Sequence, residues 1–335
     1  MTSAILDSTA APVAASRTVG IRAIEYAFPS TERTVRELAA AGALASDAAL
    51  LERFGFDRVH VADSESPYEL AHRAAAGLLD RERIDPQSIG LLIYGGAPAT
   101  TAYTAGASRE DGDPWRTMAR FRFPGARLQY ELGLTHASLL ALDQLACTTL
   151  LGAIRVARAL CVAEGIDRAL CVSADFYPAD AGREAIFNCT SDAACAVLVE
   201  RNAERNRIVA ATQVTKGYYW DCEVLRDEIV ASYFPTARHV VARTLDEAGW
   251  SAADVDWIIP HNVSARSWCI LRSLLRLPNA RLWDANIARR GHTLAGDNLI
   301  NLRDALECGD VRAGDRLLLF AYGYGAHWTA LAVES

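Results

Sequence analysis

The chain has 335 residues, of which 51% are hydrophobic and 22% are charged, and its formal net charge is -7. This balance is typical of a soluble globular protein with a large core, built as one big domain or as two fused halves. The negative charge argues against a nucleic-acid-binding surface.

The first residues and the cysteines predict the compartment. Residues 1–18 carry Asp7 and no basic region, so they predict a short flexible tail and not a secretory signal. No uninterrupted apolar run reaches the roughly 18 residues of a membrane span. The eight cysteines have no CxxC spacing and sit mostly in apolar runs, which predicts reduced core thiols and no metal site. We therefore expect a cytoplasmic protein without a membrane partner.

Apolar runs that favour β-strands alternate with helical patterns. In chain order the sequence predicts helix 67–80, strand 89–97, helix 148–164, strands 168–176 and 194–200, helix 234–248, strand 256–262, helix 297–308, and strands 316–323 and 329–334. Several of the strands are continuous apolar runs, as expected when both faces are buried. The alternation predicts an α/β fold.

Two pairs of segments have the same internal order. Residues 71–95 and 237–261 each contain a helix that ends near Leu-Asp, a polar link and a buried strand. Residues 147–175 and 295–323 each contain a helix, a turn with glycine, Asp-Arg and a strand. The pattern predicts a duplicated α/β unit, with a chance likeness between generic helix–strand units as the alternative.

The duplication concerns Cys147, in QLACTTLLGA, because this residue and Gly296–Asp297 occupy equivalent helix starts. Helix N-termini offer free N–H groups and a positive dipole end, so two that converge would suit a thiolate and a developing oxyanion. The alternative is a buried and inert thiol, the usual state of a free cysteine.

Three further residues are candidates for acid–base chemistry. His261 ends a predicted strand before a polar loop, where it either acts in catalysis or caps the next element. His292 lies in RRGHTLAGDN, and Asp297 follows it by five residues. Asp297 either orients His292, as in a nucleophile–base–orienter set, or caps the helix that it begins.

The segment AYGYGAHW (321–328) places glycines at 323 and 325 after a predicted strand. They permit a turn whose N–H groups point into a pocket, as an oxyanion hole requires, or else a simple bulge before the last strand. Residues 96–125 are predicted to form a pocket wall. A nicotinamide enzyme is excluded because no GxGxxG follows an early strand.

Three motifs in order resemble the thiolase-fold condensing enzymes, specifically the β-ketoacyl-acyl carrier protein synthase III-like group. They are FPGARLQYELGL…LDQLACTTLLGAI, IIPHNVSARS, and DALECGDVRAGDRLLLFAYGYGAHWTALAVE. The resemblance runs from about residue 19 to the end. It implies a thiolase-like fold of duplicated α/β halves in a five-layered αβαβα sandwich, with an N-terminal half at 19–215, a C-terminal half at 216–335 and a homodimer.

The resemblance also implies roles for matching positions. Cys147 would be the acyl-accepting nucleophile and His261 the first catalytic histidine. The N–H of Cys147 and the turn at Tyr324 and Gly325 would form the oxyanion hole, although the family usually has glycine at the position of Tyr324. Arg266 matches a position that helps to dock the carrier protein.

The main departure is Gly291-His292-Thr293, where the family typically has Gly-Asn-Thr. Elongating ketosynthases have two histidines, the second in a similar Gly-His-Thr motif, and His261 with His292 would fit that arrangement. A divergent branch from natural-product pathways has a Cys–His–Asp set whose aspartate lies five residues beyond the histidine. The presence of Asp297 favours this second precedent.

The sequence therefore predicts an acyltransferase of natural-product (polyketide-type) biosynthesis. Its substrates would be acyl-CoA or acyl-carrier-protein thioesters, with no permanently bound cofactor and no metal. The alternative is a decarboxylating condensing enzyme that uses a malonyl thioester. A third reading, an inactive partner subunit of a heterodimer, is disfavoured because Cys147, His261 and His292 are all retained.

Overall fold

A computed structural model describes residues 18–97, 121–178, 181–277 and 279–335. The strands are β1 (Val19–Ala27), β2 (Thr31–Thr34), β3 (Arg58–Val61), β4 (Leu91–Gly95), β5 (Ser138–Leu142), β6 (Arg168–Asp175), β7 (Glu184–Ala185), β8 (Asn188–Cys189), β9 (Ala193–Arg201), β10 (Arg207–Thr215), β11 (Trp257–Pro260), β12 (Arg281–Leu282), β13 (Arg316–Gly323) and β14 (His327–Glu334). The helices are α1 (Val35–Ala40), α2 (Ala48–Arg53), α3 (Pro67–Glu82), α4 (Pro124–Glu131), α5 (Thr149–Ala163), α6 (Arg226–Ala248), α7 (Ala265–Leu275), α8 (Ala285–Arg290) and α9 (Asp297–Glu307). Every predicted element is present; the strand predicted at 316–323 has the predicted ends, and the ends of the other elements differ from the prediction.

The strand order displays the duplication. The large sheet runs β12-β11-β13-β14-β10-β1-β9-β6-β4-β5. In the set β5-β4-β6-β9-β1 the first two pairings are parallel and the next two antiparallel, and the set β12-β11-β13-β14-β10 repeats this pattern. The two sets join through a single pairing of Gly20 with Arg207. The duplicated α/β unit is confirmed.

The helices and the two strand sets form five layers. α5 and α9 pack in the centre, α3 covers the outer face of the first set, and α6 with α7 covers the outer face of the second. Strands that are buried on both faces contribute side chains to two cores. In β13, Leu317 and Leu319 face the central helices, whereas Leu318 and Phe320 face α6 and α7. This arrangement confirms the predicted αβαβα sandwich. The half boundary between residues 215 and 216 stays a prediction, and β10, which precedes it, pairs with β14 of the second set.

Local sequence explains where the helices begin. Ser66 and Glu69 form a capping box at the start of α3, where Pro67 occupies the first turn without needing an N–H partner. α6 begins eight residues before the predicted residue 234, because Pro235 lies inside it instead of opening it. The hydroxyl of Thr236 donates to the Ser232 carbonyl. This bond gives the carbonyl a partner within the turn that Pro235 interrupts.

Helix α5 is the most apolar helix of the described chain. The window Ala146–Ala163 is long and apolar enough to cross a membrane by length and composition. However, Leu150, Leu151 and Ile154 are almost completely buried between the strand sets. Burial of each such side chain stabilises the fold by about 1.5–3 kcal/mol. α5 is therefore a core helix, and its first residues lie where the central helices meet.

Candidate active site

Cys147 lies in a tight turn, Ala146–Thr148, that leads directly into α5. The residue is 7% exposed. Ala146 has a φ of 47°, a left-handed conformation that is rare for a residue with a side chain. The hydroxyls of Thr148 and Thr149 donate to the carbonyls of Leu145 and Ala146 at 2.7 Å each, which holds the turn. The cysteine is thus fixed at the positive end of a buried helix.

The second helix start meets the first one. The turn Leu294–Gly296, which precedes α9, packs against the turn of Cys147. His292, just before this turn, places its Nε2 3.4 Å from the Cys147 Sγ. Its Nδ1 lies 2.5 Å from Oδ2 of Asp297, the first residue of α9. A carboxylate, an imidazole and a thiol therefore form one buried line.

Asp297 is fully buried, and its hydrogen-bond partners lie outside α9. Its Oδ1 accepts from the backbone N–H and the hydroxyl of Thr293, both at 2.6 Å. Its Oδ2 accepts from the backbone N–H of Asn262 at 2.6 Å as well as from His292. The carboxylate thus orients the imidazole and ties two loops together, and it does not cap the N–H groups of its own helix.

The surroundings set the charge of His292. Burial disfavours the charged imidazole, but the Asp297 carboxylate and the Cys147 thiol outweigh it and hold the pKa of His292 well above its ordinary value. Nδ1–H donates to Asp297, so Nε2 is the atom that faces the sulfur. His292 is placed to accept a proton on the Cys147 side and to keep it.

His261 immediately follows β11 and lies beside His292, with 6.0 Å between the ring centroids. It is 2% exposed, and neither ring nitrogen has a hydrogen-bond partner in the described part of the protein. Burial, followed by the neighbouring His292 charge, lowers the pKa of His261 to about 3. At neutral pH it is an uncharged imidazole whose nitrogens are available to a ligand.

The glycine turn after β13 packs against the backbone of Cys147. A Cβ at Gly323 would stand 2.3 Å from the Leu145 carbonyl oxygen and 3.2 Å from the Cys147 nitrogen, so only glycine allows this approach. The N–H of Gly325 donates to the Cys222 sulfur at 3.3 Å. The oxyanion hole of Cys147, Tyr324 and Gly325 stays a prediction, and this bond leaves Tyr324 as the preferred partner of Cys147 within it.

Three asparagines support the two histidines, and the sequence analysis missed two of them, Asn262 and Asn301. Asn262 donates its side-chain N–H to the Gly291 carbonyl, and Asn301 donates to the Pro260 carbonyl and to Asn262 Oδ1, each at 2.8 Å. Asn298 donates to the carbonyls of Ile259 and Phe320. The sequence does contain a signal for them: Asn298 and Asn301 in α9, and Asn262 after β11, stand among apolar residues, where a side-chain amide needs a hydrogen-bond partner.

The other predicted residues lie apart from this line. Arg266 is exposed on the first turn of α7. Of the pocket wall predicted at 96–125, residues 98–120 lie outside the described residues. Cys161, Cys171, Cys189 and Cys195 are buried free thiols, and within the described ranges no group of three His, Cys, Asp or Glu side chains could hold a metal ion.

We predict that Gly323→Ala lowers the rate of Cys147 acylation by about 10- to 100-fold, because the new methyl must displace the backbone that carries the thiol. Quench-flow intact-mass measurement gives the rate. Gly77→Ala is the control, since a Cβ there makes an ordinary 3.5 Å contact. Equal rates in both variants would contradict the close approach.

We predict that His261 makes the protein sensitive to acid. Its folded pKa of about 3 lies below the ordinary value of about 6.5, so its contribution is present above pH 6.5 and is lost as the pH falls through the folded value. Between pH 7 and pH 5 the loss is about 2 kcal/mol of unfolding free energy. In denaturant titrations, His261→Asn should remove this loss of unfolding free energy between pH 7 and pH 5. His239→Asn, an exposed control, should keep it; the same pH dependence in all three proteins would refute the assignment.

Family models and known proteins match this chain. The model for 3-oxoacyl-[acyl-carrier-protein] synthase III matches residues 143–217, and the model for its C-terminal part matches residues 245–335. A β-ketoacyl-[acyl-carrier-protein] synthase III of Streptomyces coelicolor is 30% identical over 281 residues, which cover 77% of this chain and 82% of the relative. The corresponding Aquifex aeolicus protein is 24% identical and covers 86% of this chain and 91% of the relative.

Solved structures share the fold. The 3-oxoacyl-(acyl carrier protein) synthase III of Pseudomonas aeruginosa superposes with a TM-score of 0.78 at 23% identity, over 95% of this chain and 98% of the other. The acyltransferase ChlB3 gives 0.78 at 21% identity, over 95% and 97%. The priming β-ketosynthase of the R1128 polyketide pathway gives 0.75 at 18%, over 95% and 96%. These structures confirm the thiolase-like fold, and the Streptomyces coelicolor relative shows that the chain is an enzyme of the 3-oxoacyl-[acyl-carrier-protein] synthase III family.

Proposed function

We propose that this enzyme is an acyltransferase in which Cys147 takes an acyl group from an acyl-CoA or acyl-carrier-protein thioester and passes it to a heteroatom acceptor. The observation that carries the proposal is the buried line Asp297–His292–Cys147, with distances of 2.5 and 3.4 Å. A nucleophile beside a base that a third group orients is the arrangement of covalent acyl transfer.

In the first step the sulfur of Cys147 attacks the thioester carbonyl. A bond forms between this sulfur and the carbonyl carbon, and the bond to the departing pantetheine sulfur breaks. The protonated His292 supplies the proton that the departing thiolate takes. The N–H groups of Cys147 and Tyr324 hold the oxyanion of the tetrahedral intermediate, where each donor contributes about 3–4 kcal/mol in comparable enzymes.

In the second step an acceptor oxygen, nitrogen or sulfur attacks the acyl-enzyme. His292 removes the acceptor proton through Nε2, the new bond to the carbonyl carbon forms, and the thioester bond to Cys147 breaks. Asp297 keeps Nδ1 protonated throughout, so Nε2 remains the proton-accepting atom. No oxidant, metal or resident cofactor takes part in this scheme.

A decarboxylating condensation is the second candidate, and His261 is the observation that favours it. Among the described residues neither of its ring nitrogens has a partner, and the one that carries the proton in the neutral ring could donate to the carbonyl oxygen of a malonyl thioester beside His292. The enolate formed on loss of carbon dioxide would attack the acyl carbon in place of a heteroatom. We rank this second because the Asp297 carboxylate orients His292 and raises its pKa, which makes the neutral imidazole left by the first step a stronger base toward an acceptor proton.

The pathway and the partner are parts of the same proposal. ChlB3 and the R1128 enzyme are a named acyltransferase and a named polyketide priming enzyme, so both chemistries occur on this fold. We place the present enzyme in natural-product biosynthesis of the polyketide type. The exposed Arg266 on α7 offers a positive charge to an acidic carrier protein. We also propose that the enzyme acts in the cytoplasm.

Intact-mass analysis tests the proposal. The enzyme is incubated with a panel of acyl-CoAs and then with amine, alcohol, thiol and malonyl-carrier-protein acceptors. An acyl adduct that transfers completely without carbon dioxide release supports plain acyl transfer. An adduct that is discharged only with carbon dioxide release supports condensation and overturns the acyltransferase. No adduct with any donor overturns both.

We also propose a homodimer, built through β5. This edge strand exposes Leu139 and Leu140 and, within the described sheet, pairs only with β4. An open apolar edge favours pairing with a second strand. Sedimentation should give twice the 36.3 kDa of one chain, and Leu140→Asp should shift the population toward monomer. A wild-type monomer at 10 µM, a concentration of roughly cellular order, would contradict the dimer.

A further inference from the structure

Three tyrosines lie close enough to Cys147 for the charge of its sulfur to raise the pKa of each phenol. Tyr322 and Tyr324 flank Gly323, the residue whose backbone packs on the Cys147 amide. Tyr177 is the second residue after β6, and its backbone N–H donates to Asp192 Oδ1 at 2.8 Å. These three tyrosines, here called the phenol ring, come from both strand sets.

Tyr322 is the most constrained member of the phenol ring. Its ring makes edge contacts with Tyr233 at 5.2 Å and Tyr324 at 6.1 Å, and packs on Trp328 at 5.0 Å between centroids. Its hydroxyl is buried, and no atom of the described residues forms a hydrogen bond with it. Buried hydroxyls normally have a partner, so this group is available to a bound molecule.

The three hydroxyls of the phenol ring stay protonated and can donate hydrogen bonds. Burial raises the pKa of Tyr324, and the charge of the Cys147 sulfur adds to it. Burial first, then the charges of Cys222 and Cys147 among others, raise the pKa of Tyr322, and burial with Cys147 raises that of Tyr177. All three therefore present O–H donors at neutral pH, within electrostatic range of the atom that would carry the acyl group.

We propose that the phenol ring selects an oxygenated acyl group, one that carries a hydroxyl or keto oxygen beyond the thioester carbonyl, over a plain alkyl acyl group. The inference rests on the proposed acyltransferase function and names the substrate class of the same site. A site built to hydrogen-bond a substrate oxygen rejects the analogue that lacks it, because the buried donor is then left unpaired. Tyr322 is the main specificity-determining residue, since its buried hydroxyl has no hydrogen-bond partner among the described residues.

Matched donor pairs test this inference. Acylation rates of Cys147 are measured by quench-flow intact mass with butyryl-CoA and 3-hydroxybutyryl-CoA, and with hexanoyl-CoA and 5-hydroxyhexanoyl-CoA. The wild type should prefer the hydroxylated member of at least one pair by roughly tenfold or more. Tyr322→Phe should lower that preference by roughly fivefold or more through the hydroxylated donor, and leave the alkyl rate within about twofold.

The controls separate the specificity from the chemistry. Tyr130→Phe, on the exposed face of α4 and 85% exposed, should keep the wild-type preference. Tyr324→Phe and Tyr177→Phe report whether the other phenols share the role. Equal acylation by both members of each pair in the wild type, or an unchanged preference in Tyr322→Phe, would overturn the phenol ring and leave the acyltransferase standing. Acylation by no donor would overturn the proposed function, and with it the inference.

Discussion

Replacing Cys147 by alanine is expected to lower the rate of acyl transfer by roughly 10⁴-fold or more and to abolish the covalent acyl adduct. The physical reason is the position of the sulfur, 3.4 Å from His292 Nε2 at the start of α5. Removal of one sulfur leaves the pocket and the helix dipole intact, so donor binding should persist. Intact-mass spectra and transfer rates measure the two effects separately.

A second thiol serves as the matched control for this prediction. Cys308→Ala changes an exposed cysteine just after α9 and should keep the wild-type rate and adduct. An adduct that persists in Cys147→Ala would remove this residue from the nucleophile role, and Cys222, which touches the glycine turn, would then be the next thiol to examine.

Asp297→Asn is expected to lower the transfer rate by about 10³- to 10⁴-fold, the effect found when the orienting carboxylate of a nucleophile–base set becomes an amide. An amide N–H in place of the Oδ2 acceptor would face His292 Nδ1 and favour the wrong tautomer. The Thr293 bonds to Oδ1 survive, because the amide keeps one oxygen. Steady-state transfer rates check the prediction, and melting temperatures report the lost acceptor for Asn262.

The control for this variant is Asp254→Asn. Asp254 accepts from the backbone and hydroxyl of Ser251 at 2.7 Å in a surface turn, so its replacement should leave the rate unchanged. If Asp297→Asn transferred acyl groups at the wild-type rate and lost only stability, Asp297 would be a structural ligand of two loops. A pH–rate profile that loses its dependence on His292 in Asp297→Asn would support the orienting role.

The parts of the fold that sequence predicts are those with strong local periodicity. The predicted strand 316–323 is β13 itself, and the helix predicted at 148–164 differs from α5 by one residue at each end. The pairing of His292 with Asp297 is also local, because the two residues are only five positions apart in one turn. The likeness between residues 147–175 and 295–323 predicted that the starts of α5 and α9 meet.

Other features depend on long-range contacts and have no local signal. β10 alternates buried and half-exposed residues and was not predicted, because it is defined by β14 and not by its own apolar run. The early start of α6 arises from packing beyond Pro235. Among the described residues the ring nitrogens of His261 and the hydroxyl of Tyr322 have no hydrogen-bond partner, and no pattern along the chain predicts this.

The repeated strand sets have a consequence for how activity depends on the docking of the two copies. In the repeat, Ala295 stands where Cys147 stands, and Gly323 stands where Asp175 stands. One copy therefore supplies the nucleophile and the other the base and the orienting acid, although both share one framework. Such a division of labour ties activity to correct docking of the copies, so a chain whose copies fold separately but dock wrongly is inert.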